Sequence, residues 1–251
     1  MEKKEMTRRE ALKKMGAIAA ATAVTTSGIE ALAACSPDKP YNFRKMKVLL
    51  INGSPRPSGN TATLLKEAAA QLEKNGIDSE IVNIGGKAVH GCTACSVCRG
   101  DNEHHCTFKD DICNHLIDLM AKSDALIVGS PVYYGQPNGA VLALLQRMAY
   151  AGGAFMQGKP AAAVTVCRRG GASAAFQTLQ MPFQMLNMPI VTSQYWNIAY
   201  GSAPGQVSQD AEGMQTMRTL ADNMAYMLKQ FDSGKAGKPE REPGTFTNFI
   251  R

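Results

Sequence analysis

From Lys47 onward the chain alternates short, unbroken apolar runs with longer stretches whose apolar positions recur every three or four residues. Val48-Leu49-Leu50-Ile51 is apolar at every position and stops at Asn52-Gly53, as a strand buried on both faces does. Thr61 to Asn75 follows with Leu64, Leu65, Ala68 and Leu72 at helical spacing, and Gly76 stands just past the end. The same pattern predicts a second strand at Ser79–Ile84, a helix at Asp111–Ala121, a third strand at Ala125–Val128 and a helix opening at Val141–Met148. A fourth strand at Ala161–Val166, a helix at Ala172–Met185, a fifth strand at Pro189–Thr192 and a long helix at Gln209–Gln230 complete the series. Met214, Met217, Leu220, Met224 and Met227 make one stripe on that last helix, which reads as core packing by a flexible, polarisable side chain.

Near-continuous apolar strands, alternating with amphipathic helices, mean a parallel sheet covered on both faces. Five strands in roughly 185 residues predict one doubly wound α/β domain of flavodoxin-like order, a five-stranded parallel sheet in three α/β/α layers. Its expected limits are residues 47–232, with a cysteine-rich insert at 90–113 and a polar tail at 233–251. In such sheets ligands sit outside the carboxyl ends of the strands.

Composition narrows the function classes. Of 251 residues, 45% are apolar and 19% charged, enough for a full core and incompatible with wholesale disorder. Beyond the first 34 residues no apolar run reaches the roughly 18 that a membrane crossing needs. The net charge of +6 is unevenly placed: residues 1–47 hold ten Lys and Arg against five acids, so the remaining 204 residues carry only +1. A nucleic-acid binder needs a basic stripe on its folded body, and that surplus is missing.

The basic N-terminus has a pattern of its own. Thr7-Arg8-Arg9-Glu10-Ala11-Leu12-Lys13 precedes an apolar stretch from Met15 to Val24, and Leu32-Ala33-Ala34-Cys35 places small residues before a cysteine. This resembles a twin-arginine export signal ending in a lipoprotein box, which implies removal of residues 1–34 and acylation of Cys35. An Ala-rich amphipathic helix that stays on the protein is the alternative. Residues 35–46, with two prolines, read as a polar tether. The expected location is periplasmic or cell-envelope, with membrane contact only through the N-terminal anchor.

Two loops belong to the carboxyl edge of the sheet. The first, from Gly53 to Thr61, supplies the hydroxyls of Ser54, Ser58 and Thr61, the Arg56 guanidinium, the Asn60 amide and a helix N-terminus, a set suited to a doubly charged phosphate. It lacks the Gly-Lys-Ser/Thr of a Walker loop, so a nucleoside triphosphate is not expected. A solvated turn with a helix cap is the plainer reading. The second loop, Ser130-Pro131-Val132-Tyr133-Tyr134-Gly135, offers two flat aromatic faces and a glycine that lets backbone approach a planar ring. A phosphate at one end and a flat heterocycle at the other is the shape of FMN.

Gly-Ser-Pro-Arg…Gly-Asn-Thr followed by Ser-Pro-Val-Tyr-Tyr-Gly resembles the NADPH-dependent FMN reductase family within the flavodoxin-like superfamily, over about residues 47–230. The resemblance implies that Ser54, Arg56, Ser58, Asn60 and Thr61 hold the FMN phosphate and that Pro131, Val132, Tyr133, Tyr134 and Gly135 border the isoalloxazine ring. Arg168-Arg169-Gly170-Gly171, after the fourth strand, falls at the same edge, where Arg168 and Gly170 would meet the flavin and a guanidinium would favour its reduced, negatively charged form. Solvated arginines are the alternative there. For Ser193-Gln194-Tyr195-Trp196-Asn197, with the only Trp, a substrate wall, a dimer contact and plain packing all stay open.

Cys92, Cys95, Cys98, Cys106 and Cys113 lie within residues 90–115 with all four histidines, His90, His104, His105 and His115, so nine of eleven Cys and His residues share one segment. The spacing C-x2-C-x2-C-x7-C at Cys92, Cys95, Cys98 and Cys106 suits an iron–sulfur cluster. Zinc would accept the same thiolates, or three of them with His104 or His105. Disulfides in an oxidising compartment, or no metal at all, are the other readings. Cys113 and Cys167 look like spare thiols. The segment is similar to the cysteine motif of iron–sulfur flavoproteins, which share this fold and carry a [4Fe-4S] cluster next to FMN.

Together these resemblances imply an FMN-dependent oxidoreductase with NAD(P)H as a co-substrate and a cluster as electron relay. No Ser-His-Asp or paired-carboxylate arrangement stands out, so no catalytic side chain is expected beyond those that hold the flavin. Export would separate the protein from cytoplasmic NAD(P)H, so a membrane-bound or haem-containing redox partner, or a small-molecule acceptor, is expected. A non-enzymatic flavodoxin-type electron carrier is the alternative, which turnover of quinones, azo dyes or free flavin would separate. A homo-oligomer is expected by analogy.

Overall fold

The computed structural model describes residues 45–100, 104–234, 239 and 242. The export signal read at 1–34, the tether except its last two residues, and nearly all of the tail lie outside the described residues. In chain order the elements are β1 (Lys47–Asn52), α1 (Asn60–Lys74), β2 (Asp78–Asn83), α2 (Cys113–Ala121), β3 (Ala125–Tyr133), β4 (Gln136–Pro137), α3 (Gly139–Met156), β5 (Ala161–Cys167), α4 (Ala172–Met185), β6 (Ile198–Tyr200) and α5 (Ala211–Asp232). Short 3₁₀ turns stand at Val97–Arg99 and Gln206–Gln209. Among the described residues no helix is long and apolar enough to cross a membrane.

The sheet runs β2-β1-β3-β5-β6 with all five strands parallel, and the two-residue β4 folds back on β3 as an antiparallel hairpin. This is the flavodoxin-like doubly wound order, and it gathers the carboxyl ends of β1, β3, β5 and β6 along one edge.

Alternation along β1 explains the unbroken apolar run. Val48 and Leu50 pack with Ile127, Ala162 and Val164 under α1 and α5, while Leu49 and Ile51 pack with Leu126, Val128 and Ala163 under α2, α3 and α4. Every residue from Val48 to Ile51 is at most 1% exposed. Each such side chain contributes about 1.5–3 kcal/mol of burial before entropy is subtracted. On α5, Met217, Leu220 and Met224 are buried and Met214 and Met227 lie against the same core, so the methionine stripe is packing.

The fifth strand differs from the expectation at Pro189–Thr192. That segment makes a single bridge, Ile190 to Ala161, and the strand proper is Ile198–Tyr200, paired with Thr165–Cys167. Between them the chain turns out through Ser193–Trp196. The buried Asn197 fills the gap in the ladder: its Nδ2 donates to Ala163 O at 3.1 Å, and its carbonyl accepts from Thr165 N at 2.9 Å. Tyr195 and Trp196, both more than half exposed, lie on the outside of this turn.

Helix α3 also runs further than its apolar pattern, to Met156. At Gly152 the helix leaves ideal geometry, and a Cβ there would stand 2.8 Å from Ile117 Cγ2, so the glycine allows α2 and α3 to approach closely.

Candidate functional site

At the end of β1 the buried Asn52 shapes the first loop. Its Nδ2 donates to Asn83 Oδ1 at 2.7 Å, and its Oδ1 accepts from Ser54 N at 3.2 Å. Ser54 Oγ in turn accepts from Arg56 N at 3.1 Å, which closes a tight turn before α1. The N-cap of α1 is Gly59, and no side chain caps the helix, so its positive end stays open at the sheet edge.

One cleft at this edge is lined by Ser54, Arg56, Asn60 and Thr61 from the first loop, Pro131, Val132 and Tyr133 from the end of β3, Arg168 after β5, and Gly201 and Ser202 after β6. Ser54 and Thr61 are buried there, while Arg56 and Arg168 are exposed. Asn60 also ties the β6 loop to α1, its Oδ1 accepting from Val207 N at 3.3 Å. Burial pushes the thiol of Cys167, also on the cleft, upward, against the amides of Arg169 and Ala172, which lower it.

Four of the expected residues, Ser58, Tyr134, Gly135 and Gly170, fall outside this lining. Ser58 faces solvent on the loop. Tyr134 and Gly135 are the two central residues of the β3–β4 hairpin, with φ of 49° and 78°, the positive pair that a tight hairpin requires. The Tyr134 ring is therefore carried out into solvent, and Tyr133 alone of the pair lines the cleft. Gly171, with φ of 85°, packs against the same hairpin: a Cβ on it would lie 2.7 Å from Gly135 Cα. That contact seats the Arg168–Gly171 loop beside Tyr133.

The cysteine insert forms a second site. Cys92, Cys95, Cys98 and Cys106 line one small cleft, whose walls include Phe108, Arg147, Tyr150 and Ala151. The donor set, four soft sulfurs in partly apolar surroundings, fits an iron–sulfur cluster. Among the described residues, no three Cys, His, Asp or Glu side chains converge as the ligands of one metal ion do. Cys98 is pushed up by burial, with the other three thiols adding in the same direction. Asn114 clamps Cys106, its Oδ1 accepting from Cys106 N at 2.7 Å and its Nδ2 donating to Cys106 O at 2.9 Å. Cys113 lies in the core, where burial raises its thiol to about 12, so it remains protonated. His105 pairs with Asp118 and His90 with Asp110, at 2.7 and 2.9 Å.

The model of the NADPH-dependent FMN reductase family matches residues 46–203, which hold nearly all of the lining of both clefts. The chain belongs to the NADPH-dependent FMN reductase family. An iron–sulfur flavoprotein of Methanocaldococcus jannaschii is 32% identical over 192 residues, which cover 73% of this chain and 98% of the relative. Among solved structures, RosB with bound 8-demethyl-8-formylriboflavin-5'-phosphate superposes with a TM-score of 0.58 at 15% identity, covering 82% of this chain and 92% of RosB. A flavodoxin, WrbA-like protein from Agrobacterium tumefaciens gives 0.51 at 14% identity, over 74% and 99% of the two chains. These two share the fold.

Several residues that organise this FMN reductase family member's clefts carry no obvious motif. Asn138 caps α3 through Ala140 N at 3.1 Å and donates to Gly53 O at 2.7 Å, joining the hairpin to the first loop. Ser130 Oγ accepts from Asn138 N at 2.9 Å. An Asn just before an apolar helical run is a readable cap signal, and an Arg inside such a run, Arg147 among Leu144, Leu145 and Met148, is a readable anomaly.

Proposed function

We propose that this chain is an FMN-dependent oxidoreductase that binds FMN in the cleft at the carboxyl edge and a [4Fe-4S] cluster on Cys92, Cys95, Cys98 and Cys106. The observation that carries the flavin reading is the convergence on one cleft of an uncapped helix N-terminus, Ser54 and Arg56 with Tyr133 and Arg168. Bound there, FMN supplies hydride and single-electron chemistry, and a cluster supplies single-electron chemistry.

The chain's own residues bind and orient. The open end of α1 and the Arg56 guanidinium neutralise a phosphate, with Ser54 and Thr61 offering hydroxyls beneath it. Tyr133 and Pro131 give a planar ring an apolar border, and Arg168 adds positive charge to the same cleft, favouring negative charge taken up there. The four cysteines line one cleft, and their C-x2-C-x2-C-x7-C spacing suits a cluster, which supports the cluster reading. The signal-like N-terminus supports an exported protein whose electrons come from a membrane-bound or haem-containing partner instead of NAD(P)H.

The test is the absorption spectrum and cofactor content of anaerobically purified protein. Flavin bands with a broad longer-wavelength shoulder, about one FMN released by acid and about four irons per chain are expected. A colourless protein that takes up neither flavin nor iron contradicts the reading.

A further inference from the structure

The largest fully buried side chain among the described residues is a charged one, Arg147, 1% exposed and midway along α3. An apolar residue at this position would simply extend the Leu144–Met148 face. The guanidinium instead directs its donors to the cysteine insert. Its Nε donates to Cys106 Sγ at 3.2 Å, Nη1 to Asp111 Oδ2 and to His90 O at 3.2 Å, and Nη2 reaches Phe108 O at 3.4 Å. The Phe108 ring lies 5.3 Å from the guanidinium carbon. One side chain on a rigid helix thus grips the insert at residues 90, 106, 108 and 111, before, at and after the cysteines.

Asp111 by itself balances the buried charge, and the two carbonyls satisfy further donors. The N–H on Cys106 Sγ goes beyond charge balance. Of the four cysteines, Cys106 is the one fixed twice, by Asn114 through its backbone and by Arg147 through its sulfur.

We propose that Arg147 is a positioning residue for the cysteine site: it folds the insert around its guanidinium and holds an N–H against Cys106 Sγ, raising the reduction potential of a cluster bound there. The potential effect rests on the cluster reading proposed above; the folding effect does not. A hydrogen bond to a ligand sulfur withdraws electron density and favours the more negative, reduced cluster.

The test uses the full chain as wild type, Arg147→Lys, and the charge-free pair Arg147→Met with Asp111→Asn, which removes both buried charges and keeps the core packed. In metal-stripped protein, amide exchange across residues 104–114 is expected to quicken about tenfold or more in the charge-free pair, with β1 and β3 unchanged. Arg147→Lys keeps the Asp111 pair but loses the planar fork. It is expected to restore most of that protection, to assemble the cluster from ferrous iron and sulfide, and to show a more negative midpoint potential than wild type at equal FMN content. Equal exchange in all three proteins overturns the folding role, and equal potentials in wild type and Arg147→Lys overturn the tuning. If wild type takes up no iron, the cluster reading and the tuning fail together, while the exchange data still decide whether Arg147 organises the insert.

Discussion

Arg56 and Ser58 both have the chemistry of phosphate ligands on the first loop, yet only Arg56 lines the cleft. Replacing Arg56 by Ala removes a charge-assisted contact of about 1.5–3 kcal/mol, so FMN is expected to bind about tenfold more weakly, given the exposure of the side chain. Ser58→Ala is expected to leave affinity within about twofold, since a solvated surface change costs little. Quenching of flavin fluorescence on titration measures both. Asp111 sets a pH limit on the second site. Burial pushes its carboxyl up, but the Arg147 N–H and the amides of Cys113 and His90 outweigh burial and hold it below its ordinary range. Because the folded value is depressed, the stabilisation is present above the unfolded value of about 3.9 and is lost as pH falls through the lower folded one. The insert is therefore expected to keep its amide protection at pH 5 and above and to lose it on acidification below about pH 4, as hydrogen exchange can follow. A loss of protection between about pH 7 and pH 5 would contradict this.

Elements show which devices hold the carboxyl-edge cleft together. Gly171 has a positive φ and no room for a Cβ against Gly135, so the Arg168 loop and the β3–β4 hairpin lock through two glycines. Gly171→Ala is expected to cost about 1–3 kcal/mol and to weaken FMN binding along with stability, because the loop that carries Arg168 must move. Denaturant unfolding and FMN titration on the same variant measure the two effects, and an unchanged affinity in a destabilised protein would detach the loop from the cleft. At this scale much is legible in the sequence. The Val48–Ile51 run, the helical stripe of α1 and the extent of α4 follow from periodicity alone, because each is decided by burial on one or both faces. The fifth strand escapes periodicity for a physical reason: Ile190 and Val191 are apolar, yet only one bridge forms there, and a side-chain amide, Asn197, stands in for backbone pairing before β6. Periodicity does not see a side chain replacing a ladder. The apolar pattern marks only the opening of α3 at Val141–Met148, and Gly152, beyond it, serves close helix packing within the same helix.

Across the whole molecule the two clefts depend on contacts between distant parts of the chain, and this limits what the sequence alone can show. The cysteines stand out by their spacing, and the structure gathers the four around one cleft. Arg147 stands out as an arginine inside an apolar run, but its role does not, because its partners at 90, 106, 108 and 111 lie far away in sequence. The tyrosine pair divides: Tyr133 ends the strand and lines the cleft, while Tyr134 begins the turn and is exposed. The carboxyl-edge cleft nonetheless sits where the parallel sheet directs ligands, outside the carboxyl ends of β1, β3, β5 and β6. It offers positive charge and hydroxyls from Arg56, Ser54 and Thr61 at the α1 end and a flat aromatic border from Tyr133. The most direct measurement is a parallel titration of flavin-stripped protein with FMN and with riboflavin, followed by calorimetry. One FMN per chain and riboflavin bound at least about 100-fold more weakly are expected, since riboflavin lacks the phosphate that Arg56 and the α1 N-terminus would neutralise. Equal affinity for the two flavins, or no binding of either, would contradict the account.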